Sequence, residues 1–149
     1  MNVDQRIEKI LGILRKRHWT IGIMESCTGG ALSNTVTNVP GASDVFMGSL
    51  VTYSNEAKIK VGVDEKIIKK FGVYSKQVAE EMARKIGGEL GVGITGNLPG
   101  EIFVVVRIED QVKSIKFKAE SKNKNKIEAR KEMKEMVVEK VIDMIIDGL

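Results

Sequence analysis

A short apolar run, Thr20-Ile21-Gly22-Ile23-Met24, empties directly into Glu25-Ser26-Cys27-Thr28-Gly29-Gly30. No other stretch constrains the fold as strongly. The run is too short for a helix and suits a buried strand, while the paired glycines after it demand a turn. A strand followed by a glycine turn and then a helix is the unit of an α/β sheet. Ligands of such sheets meet the carboxyl ends of the strands, where backbone N–H groups can approach an anion or a developing oxyanion. The same residues also read as a plain capped connection, with Ser26 or Thr28 as the cap.

The rest of the chain extends this pattern. Ile7, Ile10, Leu11 and Leu14 recur at helical spacing and predict an amphipathic first helix closing at Arg15-Lys16-Arg17. A second helix is expected over 28–37, ended by Pro40-Gly41, and an extended segment over 44–53. Ser54 or Asn55 can cap a short helix, Asp64 another that stops at Gly72, and Ser75 a longer one ended by Gly87-Gly88. Residues 91–96 read as a buried strand, and 102–108 with 112–117 as an antiparallel hairpin. A last helix carries Met133, Met136, Val137, Val141, Met144 and Ile145 on one stripe, where methionine reads as core filler. The expected fold is a three-layer α/β/α sandwich with a mixed sheet, formed by residues 1–149 as a single domain.

Composition narrows the chemistry. The 149 residues include one cysteine, Cys27, and one histidine, His18, so zinc sites of the usual ligand types are not expected. His18 sits at the apparent end of the first helix, and a histidine-activated nucleophile would need this one residue to reach the right turn, so a helix-end or packing role is the simpler reading. There is no G-x-x-x-x-G-K-[ST] loop and no G-x-G-x-x-G fingerprint. No metal and no cofactor is expected. The net charge of +4 gathers in the lysine-rich end of the chain, around Lys122-Asn123-Lys124-Asn125-Lys126. Without interleaved aromatics this run reads as a solvated surface, and nucleic acid is not the expected partner. No run approaches the ~18 apolar residues of a membrane span, and the N-terminus lacks a signal-peptide core. A cytoplasmic location is expected, with no membrane partner.

What remains is a hydroxyl nucleophile activated by lysine. Ser26 is the candidate nucleophile, and a desolvated lysine would accept its proton. Lys58 is one candidate among many lysines, because it follows a strand end at Tyr53 that could face the glycine turn. Tyr53 could hydrogen-bond in the same site. Cys27 is the rival nucleophile, but no obvious base activates it, and a buried, inert thiol is the simpler reading.

Glu25-Ser-Cys-Thr-Gly-Gly30, Gly48-Ser-Leu-Val-Thr-Tyr-Ser-Asn-Glu-Ala-Lys58, Gly62-Val63, Gly72-Val73-Tyr74-Ser75 and Gly93-Ile94-Thr95-Gly96, in that order, resemble the CinA C-terminal domain family, also known as nicotinamide-nucleotide amidases. The resemblance covers residues 3–96 well and the rest more loosely. It implies an α/β/α domain that hydrolyses the carboxamide of nicotinamide mononucleotide to nicotinate mononucleotide and ammonia, without metal, in pyridine-nucleotide salvage. It also implies Ser26 as nucleophile with Tyr53 and Lys58 as its catalytic partners. Glu25, Thr28, Gly29, Gly30, Thr95, Gly96 and Arg130 fall in matching segments and are expected to bind substrate. The expected partner is thus a small pyridine nucleotide; a homodimer is compatible with the chain's size, though no residue marks an interface. The chain departs from the family pattern after Gly96. Asn97-Leu98-Pro99-Gly100 runs straight into Glu101-Ile102-Phe103, where the pattern has a longer Gly/Pro-rich loop with a lysine. The alternative that this departure raises is a member with altered specificity, or one that binds a nucleotide or protein partner without catalysis.

Overall fold

The computed structural model describes all 149 residues. Five strands, β1 (Ile21–Glu25), β2 (Phe46–Val51), β3 (Leu90–Gly96), β4 (Gly100–Ile108) and β5 (Gln111–Ala119), form one sheet in the order β2-β1-β3-β4-β5. β2, β1 and β3 run parallel, and β4 and β5 are antiparallel additions, so the sheet is mixed as expected. Six helices cover it: α1 (Val3–Arg17), α2 (Ala31–Thr37), α3 (Asn55–Lys60), α4 (Glu65–Phe71), α5 (Lys76–Lys85) and α6 (Lys126–Gly148). No helix is long and apolar enough to cross a membrane.

The two faces differ in how they are packed. α1, α2 and α6 bury the larger core against one face, through Ile7, Leu11 and Leu14, Leu32 and Val36, and Met133, Val137, Val141 and Ile145. The helix methionines Met133 and Met144 are core residues there, and Met136 packs at its margin. On the other face α5 lies close against β3. A Cβ on Gly93 would stand 2.1 Å from the carbonyl oxygen of Ala79, and one on Gly91 would stand 2.4 Å from that of Ala83. Glycine in β3 therefore sets the depth of this layer.

Local signals fixed most boundaries. The side chains of Ser54, Asp64, Ser75 and Asn125 accept from the first backbone N–H groups of their helices. His18 closes α1 in the left-handed conformation at φ 57° and is exposed, in keeping with its reading as a helix-end residue. Several boundaries moved. α2 begins at Ala31 rather than residue 28, because Gly29 and Gly30 sit at φ 61° and 99° and prolong the turn. Residues 42–44 form a 3-10 turn, so β2 starts at Phe46. β4 starts at Gly100 and β5 ends at Ala119, each two residues beyond the expected strand, because Gly100 pairs with Ala119 and Gly96 with Ile102.

β1 lies between β2 and β3, and the chain leaves it through α2 on one face but leaves β2 through α3 to α5 on the other. That reversal opens a crevice at the carboxyl ends of β1 and β3. Ser26 follows the last residue of β1, and Asn97 follows the last residue of β3.

Candidate active site

Parallel register brings the glycine-turn motif and the Tyr53–Lys58 motif together. Glu25 pairs with Val51, and the Thr52 N–H donates to the Glu25 carbonyl at 2.8 Å, so the chain leaves both strands side by side. α3, capped by Ser54, then turns Lys58 back toward β1. Its Nζ lies 3.0 Å from Ser26 Oγ and donates to the Thr52 carbonyl at 2.6 Å. Lys58 is 1 % exposed, and Ser26 is 5 % exposed. No carboxylate pairs with this ammonium. Burial pushes the Lys58 pKa down from its ordinary value, opposed only by a weaker interaction with Cys27. A lysine whose charged form is disfavoured by burial, in reach of a hydroxyl, has the arrangement a general base needs.

The turn that carries Ser26 is fixed by Glu25, whose side chain is fully buried. Its carboxylate accepts from the Thr28 hydroxyl at 2.6 Å, the Leu32 N–H at 3.0 Å, and the Ser33 N–H and hydroxyl at 2.9 and 2.6 Å. Glu25 thus caps α2 from within the preceding strand. The Gly29 N–H donates to the Ser26 carbonyl and the Ala31 N–H to the Thr28 carbonyl. By contrast, the N–H groups of Cys27 and Thr28 donate to no other residue of the chain. Cys27 directly follows the nucleophile candidate, the position from which an N–H serves an oxyanion.

A cavity of about 170 Å³ opens beside Ser26, and Lys58, Tyr53, Tyr74, Asn97, Leu98 and Arg130 are among its walls. It is smaller than the ~300–1,000 Å³ of sites that enclose a whole drug-sized ligand. It suits the amide-bearing end of a ligand whose remainder lies over the mouth. Lys58 and Arg130 are its only charged walls, and no carboxylate lines it. A larger groove of about 780 Å³ between β5 and α6 has lysines and aspartates but no serine or cysteine paired with a buried base. No group of three or more histidine, cysteine or acidic side chains is placed so that it could hold a metal ion.

The expected site residues divide into three groups. Ser26, Lys58, Tyr53, Gly96 and Arg130 converge on the cavity. Glu25, Thr28 and Thr95 are buried behind it with their side chains engaged: Thr95 donates to the Val73 carbonyl at 3.0 Å. Their geometry supports the wall rather than touching its contents. Gly29 and Gly30 stand at the rim of the turn, at positive φ. Tyr53 differs from a proton relay. It is 63 % exposed, and its hydroxyl accepts from Arg130 at 3.3 Å, while Lys58 reaches Ser26 with nothing between them. Arg130, on α6, also donates to the Leu98 carbonyl and so ties the short β3–β4 connection to the site. Lys126, the other basic residue of that segment, is exposed at the start of α6.

Two residues of the quoted motifs gain a place that sequence reasoning had not given them: Tyr74 is half-exposed at the cavity mouth, and the Thr52 carbonyl anchors Lys58. A main-chain acceptor has no residue-type signature, so only the register could reveal it. Cys27 is 5 % exposed, and burial pushes its thiol up to about 11, which keeps it protonated and unreactive.

Comparison with known proteins places this geometry in context. A model of the CinA C-terminal domain matches residues 3–147. A CinA-like protein of Flavobacterium psychrophilum is 38 % identical over 130 residues, which cover 76 % of this chain and 31 % of that protein. A CinA-like protein of Dictyoglomus thermophilum is 46 % identical over 94 residues, 60 % of this chain and 23 % of that protein. The chain thus spans about a quarter to a third of the length of these relatives. Among solved structures, a competence/damage inducible protein from Agrobacterium tumefaciens superposes with TM-score 0.85 at 24 % identity, covering 97 % of this chain and 94 % of that one. A competence-damaged protein (CinA) superfamily protein from Escherichia coli gives 0.88 at 17 % identity, covering 99 % and 91 %. At these identities the two structures speak for the fold.

Proposed function

This chain belongs to the CinA C-terminal domain family, and from that premise we propose that it is an amidohydrolase acting on the carboxamide of nicotinamide mononucleotide through a lysine-activated serine. The observation that carries the proposal is the buried contact between Lys58 and Ser26. Neutral Lys58 accepts the hydroxyl proton as Ser26 Oγ attacks the amide carbon. The N–H group of Cys27, a residue of the cavity wall, donates to no other residue and is the donor for the oxyanion that forms. As the tetrahedral intermediate collapses, protonated Lys58 returns its proton to the departing nitrogen, which leaves as ammonia. Water then attacks the Ser26 ester with Lys58 again as base, and nicotinate mononucleotide is released. The Thr52 carbonyl holds Nζ in place throughout. No resident metal or cofactor enters this sequence of steps.

The cavity supports an amide flanked by an aromatic ring. Tyr53 and Tyr74 stand at its mouth, and Arg130 supplies positive charge without a competing acid. The test is ammonia release from nicotinamide mononucleotide by the purified chain, expected to be catalytic and independent of added metal.

A second reading rests on the short connection Asn97–Pro99, which Arg130 draws against the site. On that reading the chain binds a nucleotide without turning it over. Stabilisation by the mononucleotide, with no ammonia from it or from a panel of other amides, would favour this over the amidase. Ligand at about 100 times its Kd adds roughly 2.7 kcal/mol, which a melting experiment resolves.

A further inference from the structure

The steps above leave the oxyanion with a single donor, the Cys27 N–H, whereas acyl-transfer sites commonly aim more than one at that position. Lys58 sets the direction in which a second donor must lie. It returns its proton to the departing nitrogen, so the nitrogen of the amide faces the base and the oxygen faces away. β1 lies between β2 and β3, and Lys58 reaches Ser26 from the β2 side, on α3. A second donor therefore belongs on the β3 side.

Asn97 stands there. It follows the last residue of β3 and shares the cavity wall with Ser26 and Cys27. In a cavity of about 170 Å³ no wall residue is far from the carbonyl under attack. Side-chain hydrogen bonds between the walls join Lys58 to Ser26, and Arg130 to the Leu98 carbonyl and the Tyr53 hydroxyl; the Asn97 carboxamide takes part in none. Asn55, the other amide of the wall, opens α3 and arrives from the side of the base.

The short connection also holds Asn97 in place. Its N–H donates to the Glu101 carbonyl at 3.0 Å, and the preceding Gly96 pairs with Ile102. The following Leu98 is buried, with its carbonyl accepting from Arg130. A Cβ on Gly100 would stand 3.0 Å from the Asn97 Cβ, so the turn closes tightly around this residue. A donor fixed before the reaction needs no reorganisation when charge develops.

We propose that Asn97 is a catalytic residue of this chain, its side-chain N–H donating with the Cys27 N–H to the oxygen of the tetrahedral intermediate on Ser26. The inference rests on the amidase reading for the reaction itself. As Ser26 Oγ bonds to the amide carbon, the carbonyl π pair moves onto oxygen and the hydroxyl proton passes to Lys58. The Asn97 amide meets the charge that appears on that oxygen. The connection that departs from the family pattern thus carries a donor of its own.

Asn97 is exposed and its φ is not positive, so Asn97→Ala should fold with an unchanged unfolding midpoint. Its kcat for ammonia release from nicotinamide mononucleotide should fall about 10²–10³-fold, with KM within about threefold, because the contact forms only in the transition state. Unchanged kcat, or a raised KM at unchanged kcat, would overturn the proposal. A second measurement needs no turnover. Pyridine-3-boronic acid accepts the Ser26 oxygen at boron, the hydroxyl proton passing to Lys58, and gives a tetrahedral anion that resembles the intermediate. It should bind the unaltered chain and bind Asn97→Ala about tenfold or more weakly. Equal affinities, or no adduct on the unaltered chain, would also overturn the proposal. Absence of ammonia from the unaltered chain, while boronate affinity still depends on Asn97, would sink the amidase reading alone.

Discussion

Lys58 Nζ and Ser26 Oγ stand 3.0 Å apart in a pocket that leaves Lys58 1 % exposed. They are 32 residues apart in sequence, and parallel pairing of β1 with β2 brings them together. Because burial lowers the Lys58 pKa, the pair should govern how activity responds to pH. Catalysis needs neutral Lys58, so kcat/KM should rise with pH through the depressed Lys58 value and level off above it. A profile flat across the same range in the unaltered chain would contradict a lysine base.

The same shift makes a statement about stability. The unfolded chain keeps its lysine near the ordinary value of 10.5, while the folded chain releases the proton at lower pH. Between the two values the unfolded state binds more protons, so stability rises with pH across that window and is lost as pH falls through the folded value. Urea unfolding of the unaltered chain and of Lys58→Met, followed with pH, should show their difference shifting in favour of the unaltered chain as pH rises. A pH-independent difference would mean that the buried lysine is not desolvated.

Glu25 should matter to both folding and rate. Glu25→Gln keeps the size but replaces one acceptor oxygen by a donor among four donors, which leaves buried groups facing each other. A loss of about 2–4 kcal/mol in unfolding free energy is expected. kcat should fall as well, because the turn carrying Ser26 loses its tether. Unfolding curves and turnover on the same preparation check both, and an unchanged midpoint would show that the carboxylate is dispensable.

Tyr53 and Lys58 should separate cleanly. The Tyr53 hydroxyl contacts Arg130 and does not lie between base and nucleophile. Tyr53→Phe should therefore lower kcat/KM by less than about tenfold, against the ~10²–10⁴ expected for losing a general base. Equal losses in Tyr53→Phe and Lys58→Met would assign the tyrosine a direct part in proton transfer.

Sequence periodicity and caps made most of this fold legible. Ile7 to Leu14 gave α1, and Ser54, Asp64 and Ser75 marked three helix starts, because each acts within a few residues of its own position. The limits of β4 and β5 were less visible, since strand ends depend on cross-strand partners such as Gly100 with Ala119. At the site, elimination of histidine and metal chemistry left Ser26 with a lysine, but the choice of Lys58 came from resemblance and not from spacing. Glu25 was expected to touch substrate. Its burial under α2 was hidden because the partners that surround it, Leu32 and Ser33, act through backbone N–H groups or an ordinary hydroxyl.

The central claim is that Ser26 and Lys58 act as one catalytic unit. Ammonia release from nicotinamide mononucleotide, measured for the unaltered chain, Ser26→Ala, Lys58→Met and the double variant, tests it most directly. Each single variant should lose at least about 10²-fold in kcat, with unfolding midpoints showing a folded protein, and the double variant should lose little more than either, because groups acting as a unit are not additive. Turnover surviving in folded Ser26→Ala, or losses that simply multiply in the double variant, would contradict it.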